Sequence, residues 1–235
     1  LIKEANKHLS KGIIFNSLVK DGAKIAKDQT LVKLIGPITT ILSLERSILN
    51  CLQRMSGIAT NTAKIISIIK RHHPHMQIAG TRKTPWGLLD KKAVALGGGL
   101  THRLNLSQGI LIKDTHLDFL NRNIGKIFQK ITSQNWLEIE IETPHEALKV
   151  AKQFEARQKM GTLMLDNFSP AKVALTINLL NKQKLRDQVI IELSGNINKK
   201  NIAAYAKLDV DLISIGALTH SCQALDISLK LTKSL

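Results

Sequence analysis

Basic side chains are set between apolar and glycine-rich runs in one stretch of the chain. Arg82, Lys83, His102, Arg103 and Lys113 are spread through IAGTRKTPWGLLDKKAVALGGGLTHRLNLSQGILIKDTH, from Ile78 to His116. Guanidinium and ammonium groups against low-dielectric surface need anionic partners, because an unpaired charge held away from water is costly. Two sources are open: carboxylates of the same chain, giving internal salt bridges beside surface lysines, or a bound anion. Further on, Glu140 and Asp166 offer carboxylates. Such a pair can hold a divalent cation through water, steady a developing positive charge, or balance the basic cluster. Ser194-Gly195-Asn196 and Ile215-Gly216-Ala217 bring small residues that let backbone N–H groups approach a ligand. A helix after each would add an N-terminus favourable to phosphate.

These residues need elements that bring them together. Between Leu1 and Ile35, short β-capable runs are broken by an Asp21-Gly22 turn and a polar turn at Lys27 to Gln29, which predicts a small antiparallel sheet. Pro37 allows a change of direction. Ser43 to Ala59 then has helical spacing, with Leu44, Ile48, Leu52, Met55 and Ile58 on one apolar face and Arg46 turned away from it. The pattern changes at Thr60, and Thr62 to Lys70 reads as a helical extension. Strands are expected from Gln77 and over Ile110 to Ile112, Trp136 to Ile141, Thr162 to Leu165, Ile190 to Leu193 and Leu212 to Ile215. Helices are expected over Lys91 to Leu96, Leu117 to Ile131, His145 to Gln158, Ala171 to Leu180, Lys199 to Ala206 and from Thr219. Glu138, Glu140 and Glu142 share one face of their strand.

Short strands alternating with longer helices predict parallel βα units, in an α/β barrel or an open doubly wound sheet. The barrel is favoured because Lys113, Glu140, Asp166, Ser194 and Gly216 all sit at or just past the C-terminal ends of successive strands, which a barrel gathers at one mouth.

The 235 residues (26.0 kDa) are 43% hydrophobic and 22% charged, values of a globular chain able to bury a core. No apolar run is long enough to span a bilayer, and no signal-like segment opens the chain. Cys51 and Cys222 form no Cys-x-x-Cys pair, which argues against a disulfide framework or structural zinc and makes the cytoplasm the expected compartment. The net charge of +16 attracts anions of any kind, nucleic acid included. With 3% aromatic residues there is little from which to build base-stacking platforms, so neither a nucleic-acid nor a membrane partner is expected.

Several blocks, in order along nearly the whole chain, closely resemble the nicotinate-nucleotide pyrophosphorylase (carboxylating) family, also called the quinolinate phosphoribosyltransferases. They are ERSILNCLQRMSGIAT from Glu45, GTRKTPWGL from Gly80, GGGLTHRLNLSQGILIKDTH from Gly97, IEIE from Ile139, MLDNFSP from Met164, ELSGNIN from Glu192 and ISIGALTHS from Ile213. The family's first several dozen residues would precede Leu1. The resemblance implies an α/β fold: a smaller, partly truncated N-terminal α/β sandwich with its linking helix over 1–59, an incomplete α/β barrel over 60–225, and a segment over 226–235 returning to the sandwich. It implies transfer of the phosphoribosyl group of 5-phosphoribosyl-1-pyrophosphate to quinolinate with decarboxylation, in NAD biosynthesis. It also implies Mg2+ with the diphosphate, no pyridoxal phosphate, and a homodimer in which Arg46 reaches the partner's site.

On the same resemblance Arg46, Arg82, His102 and Arg103 hold the quinolinate carboxylates, and Lys83 and Lys113 stand beside the acid and the diphosphate-bearing substrate. Glu140 and Asp166 are the acidic pair near ribose and magnesium, and Ser194, Gly195, Asn196 and Gly216 receive the 5-phosphate. The chain departs from the family at Gly80, where Asp is usual, at Leu89, where a basic residue is usual, at Thr115 in place of Asn, and at Asn196 in place of a second glycine. The segment from Phe154 to Gly161 is longer than usual. An impaired homologue, and a related phosphoribosyltransferase acting on another heteroaromatic acid, are the alternatives.

Overall fold

The computed structural model describes residues 12–131 and 136–232. The first part of the expected N-terminal unit and the last residues of the expected C-terminal return lie outside the described residues. Strands β1 (Ile14–Ser17) and β2 (Val32–Ile35) pair antiparallel, from Ile14 opposite Ile35 to Ser17 opposite Val32. The chain between them makes the two expected turns, with Gly22 at φ +82° and Asp28 at φ +60°. Both belong to residue types that tolerate left-handed backbone.

After Pro37 a single helix, α1 (Ile38–Ile69), replaces the two expected pieces. The change of pattern at Thr60 does not break it, because Gly57, Ile58, Thr62, Ile65 and Ile69 continue one buried stripe. Thr62 donates its hydroxyl to the Ile58 carbonyl at 2.8 Å, so a buried polar residue is satisfied within the helix itself.

Six parallel strands follow: β3 (Gln77–Gly80), β4 (Ile110–Ile112), β5 (Leu137–Ile141), β6 (Gly161–Asp166), β7 (Val189–Ser194) and β8 (Leu212–Ile215). Their order is β3-β8-β7-β6-β5-β4. Consecutive strands from β4 to β8 are neighbours, and β3 joins beyond β8 instead of beside β4. That cyclic order has no reversal point of the kind a doubly wound sheet requires, so the core resembles an incomplete barrel open between β3 and β4. Leu100 bridges to Ala79 at that open edge: its N–H donates to the Ile78 carbonyl at 2.7 Å and its carbonyl accepts from Gly80 at 3.0 Å.

Helices α2 (Leu88–Leu96), α3 (Asp114–Phe119), α4 (Ile124–Lys130), α5 (Pro144–Ala156), α6 (Pro170–Lys182), α7 (Ile202–Tyr205) and α8 (Ala217–His220) fill the connections. Those starting at Pro144 and Pro170 have proline in the first turn and a capping hydroxyl before it, Thr143 and Ser169. The expected helix from Leu117 to Ile131 is instead two. Asn121 and Arg122 adopt φ +50° and +52° between them, and Arg122 then reaches Asp118, Glu142 and Glu146. The long Phe154 to Gly161 segment has a packing role: a Cβ on residue 161 would lie 2.0 Å from the buried Phe154 ring. Cys51 and Cys222 are both free thiols.

Candidate active site

The C-terminal ends of the strands carry the expected rim. Lys113 follows β4 and is exposed, with its N–H donating to His116 Nδ1 at 3.0 Å. Glu140 sits near the end of β5, and Asp166 ends β6. Burial raises the Glu140 carboxyl above its ordinary pKa, the neighbouring charges of Asp166 and Asp114 push the same way, and Lys113 opposes them. Asp166 and Lys113 are thus close enough to act on Glu140, which brings three expected residues together. A pair of carboxylates is the kind of donor that a hard divalent cation prefers.

Ser194 ends β7, and Gly195 and Asn196 both take left-handed backbone, φ +89° and +51°. Asparagine tolerates this conformation better than most residues, so Asn196 can hold the backbone that the resemblance assigns to a second glycine. A side chain at 195 would collide with Asn167, since a Cβ there falls 2.3 Å from its Oδ1. Asn167 in turn donates to Asp166 Oδ2 at 2.6 Å and accepts from Asn196 Nδ2 at 3.0 Å, so this turn is tied to the rim carboxylate. Gly216 lies beside Thr81, whose Oγ1 is 3.3 Å from where its Cβ would be. Helices α7 and α8 have four residues each, and α7 begins well after Asn196. The helix expected after the first turn is therefore not supplied at Asn196, where the turn's own N–H groups remain, whereas α8 starts at Ala217, directly after Gly216, as expected.

Arg82 and Lys83 continue directly from β3 and are exposed. Thr219 donates its hydroxyl to the Lys83 carbonyl at 2.9 Å. Arg46 is 80% exposed on α1, and its ion pair among the described residues is with Glu45 at 3.6 Å, not with another expected site residue.

His102 and Arg103 lie below the rim, on the segment after Leu100. His102 takes φ +52°, and its Nε2 sits 3.2 Å from Glu192 and 3.5 Å from Glu138. Both glutamates have no exposed surface. Burial alone would lower the imidazole pKa, but hydrogen bonding to Glu138 and Glu192 outweighs it and raises the value to about 9. Burial raises the Glu138 carboxyl, partly opposed by His102. One ligand atom from each of the three residues lies within 4.8 Å of the others, a buried His/Glu/Glu cluster capable of holding a metal ion. Trp136 meets the His102 ring edge-on at 5.2 Å between centroids. His102, Arg103, Thr101, Gln108 and Trp136 border an open cavity of about 570 Å³.

Glu138 and Glu192 were not among the expected site residues. Their signal is the two-residue period of a strand: Glu138 precedes Glu140 by two and Glu192 precedes Ser194 by two, so each shares a face with a rim residue. Glu142, expected on the same face, lies past the end of the strand and is taken by Arg122. Asp90 and Lys91 were missed as well. Asp90 is buried, accepts two hydrogen bonds at 2.8 Å from Arg54 and also holds Thr84 and the Trp86 N–H. Among the described residues, no helix is long and apolar enough to cross a membrane.

Comparison with known proteins identifies the family. Residues 2–56 match the model of the quinolinate phosphoribosyl transferase N-terminal domain, and residues 58–230 match that of its C-terminal domain. The chain is 40% identical over 213 residues to a probable nicotinate-nucleotide pyrophosphorylase [carboxylating] of Archaeoglobus fulgidus, covering 90% of this chain and 81% of the relative. A probable enzyme of the same name from Bacillus subtilis is 35% identical over 239 residues, covering 100% of this chain and 78% of the relative. The crystal structure of NadC from Streptococcus pyogenes superposes with a TM-score of 0.84 at 31% identity, covering 97% of this chain and 78% of that one. With both domain models matched in order over nearly its whole length, this chain belongs to the quinolinate phosphoribosyl transferase family.

Proposed function

We propose that the chain joins quinolinate to the phosphoribosyl group of 5-phosphoribosyl-1-pyrophosphate, releasing pyrophosphate and carbon dioxide and leaving nicotinate mononucleotide. The observation that carries this reading is the layering of the site: His102 and Arg103 beside an open cavity, with a carboxylate rim at Glu140 and Asp166 at the strand ends. A planar dicarboxylate suits the first layer, and a ribose that becomes positive as its leaving group departs suits the second.

In this reading Arg82, His102 and Arg103 hold the two carboxylates of quinolinate, with Lys83 alongside. Lys113 supplies a mobile positive charge between acid and diphosphate. The turn of Ser194, Gly195 and Asn196, together with Gly216, receives the 5-phosphate on backbone N–H groups. Glu140 and Asp166 face the oxocarbenium-like ribose, and they would hold a magnesium ion, in part through water, whose charge would offset that of the leaving diphosphate. Once the ring nitrogen is ribosylated, its positive charge draws the electron pair of the adjacent carbon–carboxylate bond into the ring. Carbon dioxide leaves, and the ring carbon takes up a proton. The chain's contribution to that step is orientation, with the departing carboxylate held no more tightly in the ground state than in the transition state.

The working unit is a homodimer in the cytoplasm. Ile38 and Leu42 are about half exposed and, with Arg46, repeat every fourth residue along one face of α1. An apolar stripe ending in an arginine suits a contact that delivers the guanidinium to a partner's pocket.

The test is carbon dioxide release from carboxyl-labelled quinolinate by the purified chain. Release requiring quinolinate, phosphoribosyl pyrophosphate and magnesium together, and abolished by Arg82→Ala, is expected. A folded chain that consumes phosphoribosyl pyrophosphate with a different heteroaromatic acid but leaves quinolinate untouched would overturn the assignment.

A further inference from the structure

Lys91, in α2, is 2% exposed, yet it has no carboxylate within ion-pair distance among the described residues. The acid next to it in sequence, Asp90, is already engaged by Arg54, Thr84 and Trp86. The Lys91 ammonium donates instead to two backbone carbonyls, Gly80 O at 2.7 Å and Thr101 O. Those carbonyls occupy comparable places. Gly80 is the last residue of β3 and leads straight into Thr81-Arg82-Lys83, while Thr101 follows the Leu100 bridge and leads into His102-Arg103. Lys91 thus closes the short ladder between β3 and the Leu100 segment at the point where the two basic arms diverge.

The surrounding charge is of one sign. Burial disfavours the ammonium most, and the nearby guanidinium groups of Arg82 and Arg103 add to it, so the Lys91 pKa falls to about 8. Lys92, the other charged neighbour on α2, is exposed. A buried cation compensated by two carbonyl dipoles and pressed by two arginines gains most when an anion enters between those arginines. We propose that Lys91 is a positioning residue for the acid-binding half of the site, fixing the Arg82 arm against the His102–Arg103 segment and adding a positive charge that a dicarboxylate compensates. The proposal rests on the reading of that half as the quinolinate pocket.

Linkage supplies a readout that a merely structural lysine would not move. Near pH 8.5 the free pocket holds Lys91 partly deprotonated, and a bound dianion raises its proton affinity, so binding takes up protons. Quinolinate binding is measured calorimetrically in buffers of differing ionisation enthalpy, for the wild-type chain and for Lys91→Met, which keeps the stem and removes charge and donors. His102 also titrates in this range, so the difference between the two chains is the relevant quantity. The expected result is roughly half a proton less uptake in the variant, with about tenfold weaker quinolinate binding and an unchanged KM for phosphoribosyl pyrophosphate. Lys91→Gln, which keeps one donor without the charge, is expected to lose the proton uptake while recovering part of the affinity.

If neither variant folds, the Cε–Hε resonances of the wild-type lysines report directly. One lysine is expected to titrate near 8 in the free chain and higher with quinolinate bound. Quinolinate binding with equal proton uptake in both chains, or no lysine responding to the acid, would overturn this proposal alone. Failure of the wild-type chain to bind quinolinate would overturn the parent reading, and this one with it.

Discussion

A carboxylate enclosed beyond the reach of water has to share a proton or a cation, and Glu138 and Glu192 answer that need through one imidazole. His102 Nε2 is hydrogen-bonded to Glu192 at 3.2 Å and lies 3.5 Å from Glu138, an ion-pair contact, so its positive charge is maintained beside two buried carboxyl groups. Because the folded pKa lies above that of an unfolded histidine, the stabilisation is fully present below about pH 6.5 and is lost as pH rises through about 9. Glu192→Gln keeps the shape and removes one charge. The His102 pKa, followed by histidine Cε1–H NMR, is expected to fall by about one unit; an unmoved titration would mean that Glu138 alone holds the proton. The glutamates were hard to read from sequence because LEIEI and IIELS look like ordinary strands with one polar side, and only the position of His102 reveals which carboxylates face the interior. Gly195 makes a second prediction at this scale. Its φ of +89° and the 2.3 Å approach to Asn167 leave no place for a methyl group. Gly195→Ala should displace Asn167 from Asp166 and raise the KM for phosphoribosyl pyrophosphate while quinolinate binding, measured separately, stays near wild type.

At the scale of elements, the alternation of strands and helices was legible because each half-buried face repeats with its own period. What was not legible depends on contacts distant in sequence. The break at Asn121 and Arg122 is held by Asp118, Glu142 and Glu146 on one guanidinium, and the two glutamates are distant in sequence; the local sign is Asn123, which caps the second helix by accepting from the Lys126 N–H. The unbroken α1 likewise follows from what packs against it. Gly57 lets the chain near Gln223 cross the helix, and Gly97 lets the end of α2 rest on Ala59 and Thr62. Asp90 joins three of these elements. It receives both arms of Arg54 from α1 and the Thr84 and Trp86 groups from the loop after β3, and Arg54 also donates to the Thr219 carbonyl in α8 at 2.8 Å. Burial would raise the Asp90 carboxyl, but the hydrogen bonds to Arg54, Thr84 and Trp86 prevail and lower it. Its stabilisation is therefore present above the ordinary carboxylate pKa and is lost as pH falls through the lower folded value. Removing one partner of a buried pair costs about 3–5 kcal/mol, and the part-exposed Arg54 brings the expectation for Asp90→Asn to about 2–3 kcal/mol in urea unfolding at neutral pH. A loss below about 0.5 kcal/mol would show that Asp90 does not hold these elements together.

Across the whole molecule, the residue with most to test is Arg46. Arg46 is 80% exposed, yet it belongs to one of the sequence blocks that carry the resemblance to the family. An arginine that the fold does not carry to its own site can act in another copy's site, and the face of α1 bearing Ile38, Leu42 and Arg46 has the composition for such a contact. That arrangement has a signature independent of any single variant's loss of activity. If each site takes Arg46 from one subunit and Asp166 from the other, then Arg46→Ala and Asp166→Asn each inactivate both sites of their own homodimer. Mixed and allowed to exchange, half of the dimers become hybrids. In each hybrid one site carries both substitutions and the other carries neither, so about a quarter of wild-type activity should return. If Arg46 served its own subunit, every site would carry one lesion or the other in any mixture, and exchange would restore nothing. Measuring product formation before and after subunit exchange separates the two arrangements. Leu42→Asp in both chains supplies the control: by placing a charge on the contact face it should prevent recovery, and sedimentation should report monomers.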